Sequence, residues 1–361
     1  MASVATLPVP VDTQPPAREG VPFGGRMPSL DGLRAVSIIL VLVSHLSGTR
    51  GIGRFDLGIG DYGHLGVVVF FVISGFLITR LLLSEHAQKG YISLKRFYLR
   101  RVLRLFPAAY ALIACATILW LAGMLPIKPG DLWHAATYTM NYYPQRYWDL
   151  GHLWSLSVEE QFYLLWPFAF LMLGPRWAPW VAAAAILCGP LARGLNWHYL
   201  RNSLYYHAEL FPMVADSLAT GCLLAKVSGW LERQSWYLNL FHPVCSLGLV
   251  ALILLANRNM RNIWVVIVGT SVINICIGIL VHRSVYCFRD WAGRLLNWRP
   301  VAFIGVLSYS LYVWQQLFLN PNSHAWVNAF PQNLVLAFAA ALGSYLLLEK
   351  PFFRLRHHLR A

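Results

Sequence analysis

Charged residues are scarce in this chain. Only 12% of its 361 residues are Asp, Glu, Lys or Arg, whereas 57% are hydrophobic, and the mean hydropathy is +0.52. So little charge cannot keep a folded domain of this size in water. The composition therefore excludes an ordinary soluble protein and indicates a multi-pass membrane protein.

Acidic residues are the rarer charges, with 15 Asp and Glu against 29 Lys and Arg, which gives a net charge of +14. In a soluble protein this excess would suggest nucleic-acid binding. Here 21 of the 29 basic residues fall in segments predicted to lie at the cytoplasmic side and 8 fall outside. This bias follows the positive-inside rule, so we expect a lipid bilayer around the chain, both termini in the cytoplasm and no nucleic-acid partner.

Cysteine and metal-ligand patterns are also sparse. The six cysteines have no C-x-x-C spacing and lie in or beside apolar runs, which predicts neither a disulfide framework nor a metal site. Residues 1–28 are rich in Pro and Gly, lack the apolar core of a cleavable signal peptide, and are expected to form a disordered cytoplasmic tail. Residues 356–361, with His357 and His358, are interpreted as a basic cytoplasmic tail facing lipid headgroups.

Two enzyme signatures are missing or misleading. Residues 58–63, GIGDYG, match G-x-G-x-x-G, but they precede an apolar run instead of following a strand. They are therefore interpreted as a flexible loop and not as a dinucleotide site. No G-x-S-x-G sequence occurs, which disfavours a hydrolase-like acyl-serine path.

Long apolar runs are what the chain has in abundance. They centre near residues 32–48, 65–83, 104–125, 153–173, 177–192, 208–228, 240–256, 262–282, 301–319 and 332–349. About 20 such residues suffice to cross a bilayer as a helix. We therefore predict an all-α integral membrane protein, a bundle of about ten transmembrane helices with no soluble domain.

Two ionisable residues lie inside the first run, SLDGLRAVSIILVLVSHLSG. Arg34 and His45 are eleven residues apart, which in an α-helix returns to nearly the same face about 16 Å further along. Ionisable groups in a span usually turn to the bundle interior or to a water-filled cavity. We therefore expect both side chains to face one internal slot, where the histidine could take and return a proton.

The fourth run, GHLWSLSVEEQFYLLWP, carries two adjacent carboxylates, Glu159 and Glu160. Their side chains point about 100° apart on a helix, and burying both charged costs several kcal/mol unless they are paired or protonated. A structural ion pair with an arginine is one interpretation. The other is a role in positioning substrate or stabilising His45.

A cluster of arginines precedes the third run, in RFYLRRVLRLFP. Arg101 and Arg104 are three residues apart, and guanidinium groups suit phosphate geometry. The alternative is a topogenic cluster that meets lipid headgroups.

The segment at residues 126–152 is rich in Trp, Tyr, His and Asn. This composition suits either an interfacial aromatic cap or a carbohydrate-facing surface.

Four segments together closely resemble the acyltransferase 3 family of bacterial membrane acyltransferases: SLDGLRAVSIILVLVSH, GVVVFFVISGFLITRLL, FYLRRVLRLFPAAY and HLWSLSVEEQFYLLWP. The later stretches IGVLSYSLYVWQQLF and YLLLEKPFFRL are similar to the last two spans of that family. The resemblance places the family's membrane domain at residues 29–355. One departure is Gln315, which stands where many members have a histidine. Many members also carry an extracytoplasmic carboxy-terminal domain, whereas this chain ends after the last matching span.

The resemblance also implies roles for particular residues. His45 would be the catalytic histidine, with Arg34 as its partner and Glu159, in preference to Glu160, as the acidic catalytic position. The remaining matched positions are expected to bind substrate, with the acyl donor on the two arginines: Arg101, Arg104, Trp154, Ser155, Tyr163 and Tyr309.

The activity implied by the resemblance is that of an O-acyltransferase in a bacterial cytoplasmic (inner) membrane. It would move an acyl group, expected to be acetyl, from cytoplasmic acyl-CoA to a hydroxyl of a lipid-linked saccharide, an exopolysaccharide unit or a small glycosylated molecule. Acyl-CoA (acetyl-CoA) would be a co-substrate, no cofactor would stay bound, and His45 would be the general base. The alternative is a secondary transporter or proton-coupled exporter, because intramembrane His, Arg and Glu also mark ion pathways.

Overall fold

Helices account for nearly all regular structure in the computed structural model, which describes residues 27, 29–203 and 208–358, with side chains up to residue 354. No β-strand occurs in these residues. The predicted tail at residues 1–28 lies outside them except for Met27, as do the side chains of His357 and His358. The helices are α1 (Leu30–Leu46), α2 (Tyr62–Lys89), α3 (Leu94–Leu121), α4 (Pro129–Ala136), α5 (Trp148–Gly151), α6 (Leu153–Leu200), α7 (Phe211–Leu231), α8 (Ser235–Asn239), α9 (Pro243–Arg258), α10 (Thr270–Tyr286), α11 (Trp291–Leu296), α12 (Arg299–Trp314), α13 (Gln332–Ser344) and α14 (Lys350–His358).

The ten apolar runs all fall largely or wholly within these helices. Two of them, 153–173 and 177–192, lie in α6, which breaks at Gly174, where φ is 76°. Within the described part of the chain, five helical stretches are long and apolar enough to cross a membrane, namely Tyr62–Lys89, Leu94–Leu121, Trp148–Leu200, Val265–Tyr286 and Gln332–Arg354. The chain is thus a helical protein of membrane type, and the ten-span bundle stays a prediction.

Glycines allow the central helices to approach closely. A Cβ atom on Gly305 of α12 would lie 1.7 Å from the carbonyl oxygen of Asp31 in α1. A Cβ atom on Gly75 of α2 would lie 1.9 Å from the carbonyl oxygen of Leu218 in α7. Close backbone approach of this kind is typical of helix packing in membranes, where van der Waals contact replaces the hydrophobic driving force. It fixes α1 against α12 and α2 against α7.

The beginning of α1 is tied to a segment far along the chain. The backbone nitrogen of Ser29 donates to Oδ1 of Asn297 at 2.8 Å, and Nδ2 of Asn297 donates to the Ser29 hydroxyl at 2.9 Å. These bonds satisfy polar groups that a helix leaves open at its amino end. They join α1 to the end of α11, just before α12 begins.

A buried ion pair joins the second half of α6 to α7 and α10. The guanidinium of Arg193 donates to Oδ2 of Asp216 at 3.0 Å and to the hydroxyl of Ser271 at 2.6 Å. It also donates to the carbonyl oxygen of Ile267 at 3.0 Å. Ile267 lies in a π-helical turn, Val265–Gly269, which precedes α10. The turn opens the regular helical bonding and leaves a carbonyl for the arginine.

The connection between α3 and α6 is folded. Asp131, fully buried, accepts from the backbone nitrogens of Lys128 at 2.9 Å and Tyr147 at 2.8 Å, which closes residues 126–152 into a cap. The ring of His134 stacks on Tyr143 with centroids 4.5 Å apart. The aromatic residues that suggested an interfacial cap therefore hold this segment together.

Candidate active site

A cavity of about 100 Å³ lies among α1, α2, α3, α6 and α12. This volume holds several water molecules. Seven of the nine site residues predicted from the sequence line it, and they come from four of the five helices: Arg34, Arg101, Arg104, Ser155, Glu159, Tyr163 and Tyr309. Below, the end of the bundle where α1 begins is called proximal, and the end where α1 finishes is called distal.

The lining of the cavity is rich in positive charge. It contains three arginines, Arg34, Arg101 and Arg104, against one carboxylate, Glu159. Arg34 pairs with Asp31 at 3.0 Å, whereas the other two arginines form no ion pair within 4 Å in the part of the chain that the structure describes. Partly buried cations without carboxylate partners favour binding of an anion.

Aromatic rings hold one of these arginines. The guanidinium carbon of Arg101 lies 4.9 Å from the ring centre of Tyr163 and 5.6 Å from that of Phe97. Such cation–π contacts stabilise the planar group without neutralising its charge. Its hydrogen-bond donors therefore stay available to a ligand.

A hydrogen-bond chain places Glu159 on the cavity wall. The hydroxyl of Tyr163 donates to Oε1 of Glu159 at 2.6 Å. Since a phenol has one proton, the hydroxyl of Ser74, 2.6 Å from the same oxygen, must be the donor to Tyr163. The chain Ser74, Tyr163, Glu159 crosses the cavity wall from α2 to α6.

The neighbouring carboxylate does not line the cavity. Glu160 is absent from the lining and interacts electrostatically with Tyr138 in the cap between α3 and α6. Burial raises the pKa of Tyr138, with a smaller contribution from Glu160. The two glutamates thus face different surroundings, as their angular separation on a helix requires.

Further hydroxyl groups lie at the distal end of the cavity. The hydroxyls of Ser155 and Tyr312 are 2.6 Å apart, and Tyr312 donates to the carbonyl oxygen of His152 at 3.0 Å. On the α3 side, the hydroxyl of Tyr309 donates to the carbonyl oxygen of Leu105 at 2.5 Å. Tyr309 and Tyr312 are three residues apart and therefore share one face of α12.

His45 lies beyond this end and is not among the lining residues. Its Nδ1 is 2.8 Å from Oε1 of Gln315, and its ring meets Trp148 edge-on, with centroids 5.1 Å apart. Gln315 follows Tyr312 by one turn. The sequence predicted one slot for Arg34 and His45, whereas the structure places Arg34 in the cavity and His45 about a turn past its distal wall.

Trp154 packs against the lining residue Phe71 and does not itself line the cavity. Its ring stacks on His64 with centroids 5.9 Å apart and meets Phe71 edge-on at 6.1 Å. A direct substrate contact of Trp154 stays a prediction.

An open cleft of about 540 Å³ lies at the distal end of α1. Ser44 and Ser47, which flank His45 in the chain, form one side of it. The α1–α2 connection and the first residue of α2 supply a cation, two carboxylates and aromatic groups, namely Arg54, Phe55, Asp56, Asp61 and Tyr62. Hydrogen-bond donors, acceptors and aromatic surfaces thus meet in one cleft.

Several contacts of the site residues were missed in the sequence. Ser74 interrupts the apolar run of α2, and Tyr312 repeats Tyr309 at helical spacing, so both carried a local signal. Trp148 carried no such signal, and Gln315 stood out only as a departure from the histidine of many family members. Their contacts with His45 span 103 and 270 residues, which only the tertiary fold can reveal.

Comparison with known proteins gives a family match over most of the chain. The acyltransferase 3 profile, described as an acyltransferase domain, matches residues 27–349. No solved structure matches the chain.

The curated relatives are bacterial. The chain is 28% identical over 324 residues to the peptidoglycan O-acetyltransferase OatA of Listeria monocytogenes, with 80% of this chain and 48% of the relative covered. It is 30% identical over 322 residues to YrhL of Bacillus subtilis, provisionally named a peptidoglycan O-acetyltransferase, with the same coverage of 80% and 48%. The chain therefore spans about half the length of these relatives.

Proposed function

This chain belongs to the acyltransferase 3 family, and from that premise we propose that it is a membrane-embedded O-acyltransferase. It would transfer an acyl group, in the first instance acetyl, from acyl-CoA to a hydroxyl of a saccharide. The names of its relatives make a peptidoglycan fragment the first acceptor to test. Lipid-linked saccharides, exopolysaccharide units and small glycosylated molecules have the same reacting group.

The observation that carries the proposal is the pair of arginines in the cavity. Arg101 and Arg104 lie seven and ten residues into α3, about 10 and 15 Å along its axis from the proximal end. Both line the cavity, and neither has a carboxylate partner within 4 Å among the described residues. Phosphate groups of a coenzyme A thioester are anions of the kind that guanidinium groups bind in bidentate geometry.

The proposed reaction needs one base and one electrophile. Nε2 of His45 removes the proton of the acceptor hydroxyl, and the oxygen attacks the thioester carbonyl carbon. The tetrahedral intermediate collapses with cleavage of the carbon–sulfur bond, and the thiolate takes the proton from the imidazolium. The products are an ester and coenzyme A with a free thiol.

Substrates would reach His45 from opposite ends of the bundle. The cationic cavity supports entry of the donor from the proximal end, and the open polar cleft beside Ser44 and Ser47 supports approach of the acceptor from the distal end. With the basic residues concentrated at the proximal ends, we propose that the proximal side is cytoplasmic in a bacterial inner membrane. Multi-pass topology and cytoplasmic termini are parts of the same proposal.

The test is transfer by the purified protein in detergent or lipid nanodiscs. Acetyl-CoA labelled in the acetyl group is supplied with muropeptides or with a lipid-linked saccharide, and product is followed by mass spectrometry. We expect ester formation matched by release of free thiol. A transporter would instead move label across proteoliposomes without an acceptor and release no thiol.

A further inference from the structure

Gln315 contacts the proposed base and has an unused hydrogen-bonding group. Its side chain is fully buried, and its Oε1 lies 2.8 Å from Nδ1 of His45. Its amide nitrogen is also buried, and it has no hydrogen-bond partner in the part of the chain that the structure describes. An amide nitrogen carries two donors, so both are unsatisfied.

The amide oxygen fixes the protonation pattern of the histidine. A carbonyl oxygen only accepts, so Nδ1 of His45 must carry the proton between them. In a neutral imidazole, Nε2 then has the free lone pair. Gln315 therefore selects Nε2 as the basic nitrogen.

The amide nitrogen needs a different explanation. Buried polar groups in proteins are almost always hydrogen-bonded, so an exception requires an explanation, and a role in catalysis is one such explanation. This nitrogen is bonded to the same carbon as Oε1. The free N–H donor therefore lies close to the His45 ring, on the side of Nδ1.

We propose that Gln315 is a catalytic residue whose amide nitrogen donates a hydrogen bond to the thioester carbonyl oxygen as that oxygen becomes negatively charged. The inference rests on the proposed acyl transfer. The acyl group passes from the thioester sulfur to the acceptor oxygen, the acceptor proton passes through His45 to the thiolate, and the amide stays intact. A donor aimed at the developing oxyanion stabilises the transition state more than the ground state.

The adjacent Gln316 shows what a purely structural glutamine does in this fold. Its Oε1 lies 3.0 Å from the backbone nitrogen of His152 and 2.8 Å from Nδ1 of the same residue. Its amide nitrogen is not among the buried groups that lack a partner. Gln315 thus differs from Gln316, although the indole nitrogen of the adjacent Trp314 is also buried without a partner among the described residues.

Two substitutions separate the orientation of His45 by Gln315 from the hydrogen bond that the Gln315 amide nitrogen would donate to the oxyanion. Gln315→Glu keeps an oxygen for Nδ1–H of His45 but removes the N–H donor, whereas Gln315→Met removes both without adding charge. We expect Gln315→Glu to lower kcat roughly 10²- to 10³-fold with little change in the KM for acetyl-CoA, as loss of one oxyanion donor does elsewhere. A kcat near that of the wild type would overturn the proposal, because a carboxylate orients a histidine at least as well.

Hydroxylamine as acceptor provides the second readout, because this nucleophile needs no general base at neutral pH. We expect it to restore much of the rate of His45→Ala but little of the rate of Gln315→Met. Equal rescue of both variants would reduce Gln315 to a group that only orients the base. This comparison also holds if Gln315→Glu fails to fold.

The outcomes distinguish this inference from the proposed function. If the wild type transfers acetyl and His45→Ala does not, acyl transfer stands whatever Gln315 does. If the wild type forms no ester and no hydroxamate, both proposals fall. Retained coenzyme A binding by each variant, measured by calorimetry, confirms that a slow variant is folded.

Discussion

The hydroxyl of Tyr163 donates a 2.6 Å hydrogen bond to Glu159, while the face of the same ring supports the guanidinium of Arg101. One tyrosine thus connects the cationic part of the cavity to Glu159, the single carboxylate among the described lining residues. The hydroxyl holds Glu159 and the ring holds Arg101, so substitutions that remove one or both groups can separate the two effects.

Tyr163→Phe removes the hydroxyl and keeps the ring. We expect acetyl transfer to slow about tenfold, equivalent to ~1.4 kcal/mol in the barrier, because Glu159 loses the donor that holds it. Tyr163→Leu also removes the ring, so the KM for acetyl-CoA should rise in addition. Steady-state kinetics distinguish the two effects. Tyr98→Phe is the matched control, since Tyr98 donates to the carbonyl oxygen of Leu164 and does not line the cavity. If Tyr98→Phe slowed acetyl transfer as much as Tyr163→Phe, the hydroxyl of Tyr163 would have no special role.

Alanine at both Arg101 and Arg104 should raise the apparent KM for acetyl-CoA by one to two orders of magnitude, about 1–3 kcal/mol in donor binding. Arg96→Ala is the control, because Arg96 is exposed on the same helix and does not line the cavity. Similar effects of both changes would favour the topogenic interpretation of the cluster. Arg101→Lys should recover only part of the affinity, because an ammonium lacks bidentate geometry.

His45→Ala should reduce transfer to a saccharide by roughly 10²- to 10⁴-fold, the usual contribution of a positioned proton acceptor. The protein should still purify and bind coenzyme A, because Arg101 and Arg104 stay in place. His134→Ala serves as control, since His134 stacks on Tyr143 within the cap and lies outside the cavity lining. Full activity of the His45 variant would exclude this histidine from the mechanism.

Asp216→Ala should destabilise the fold far more than it changes catalysis. It leaves the guanidinium of Arg193 buried without its carboxylate, which typically costs 3–5 kcal/mol in the free energy of unfolding. Thermal unfolding in detergent measures the loss. The matched change is Asp290→Ala, whose ion pair with Arg283 is partly exposed and should matter less. Comparable losses would mean that burial of the Arg193 pair adds nothing.

Apolar runs predicted the helices well, because a helix in lipid must supply about 20 consecutive apolar residues. Even the two runs within α6 are separated at Gly174, close to the predicted gap between residues 173 and 177. How many of the helices cross the bilayer is harder to read, since α1 has only 17 residues and α12 only 16. Whether such short helices cross the bilayer depends on how they pack against neighbouring helices, and the sequence alone does not specify that packing.

The site was predicted in part. The family resemblance named Ser155, Glu159 and Tyr163, and the structure shows these residues, which are four apart in α6 and share one face, lining the cavity. Helical spacing put Arg34 and His45 on one face of α1, but it could not show where the cavity ends. That boundary depends on Tyr312 in α12 and on Gln315 just after it, and Gln315 is 270 residues from His45.

The ion pair between Arg34 and Asp31 has a consequence for biogenesis. One wall of the cavity belongs to the first helix and another to α12, so a ribosome must finish most of the chain before the pocket can exist. During that interval an unpaired arginine in an apolar environment would be costly. Asp31, three residues away, is synthesised together with Arg34 and can pair with it as soon as the helix forms. The counter-charge of Arg34 therefore comes from α1 itself and does not depend on any later segment of the chain.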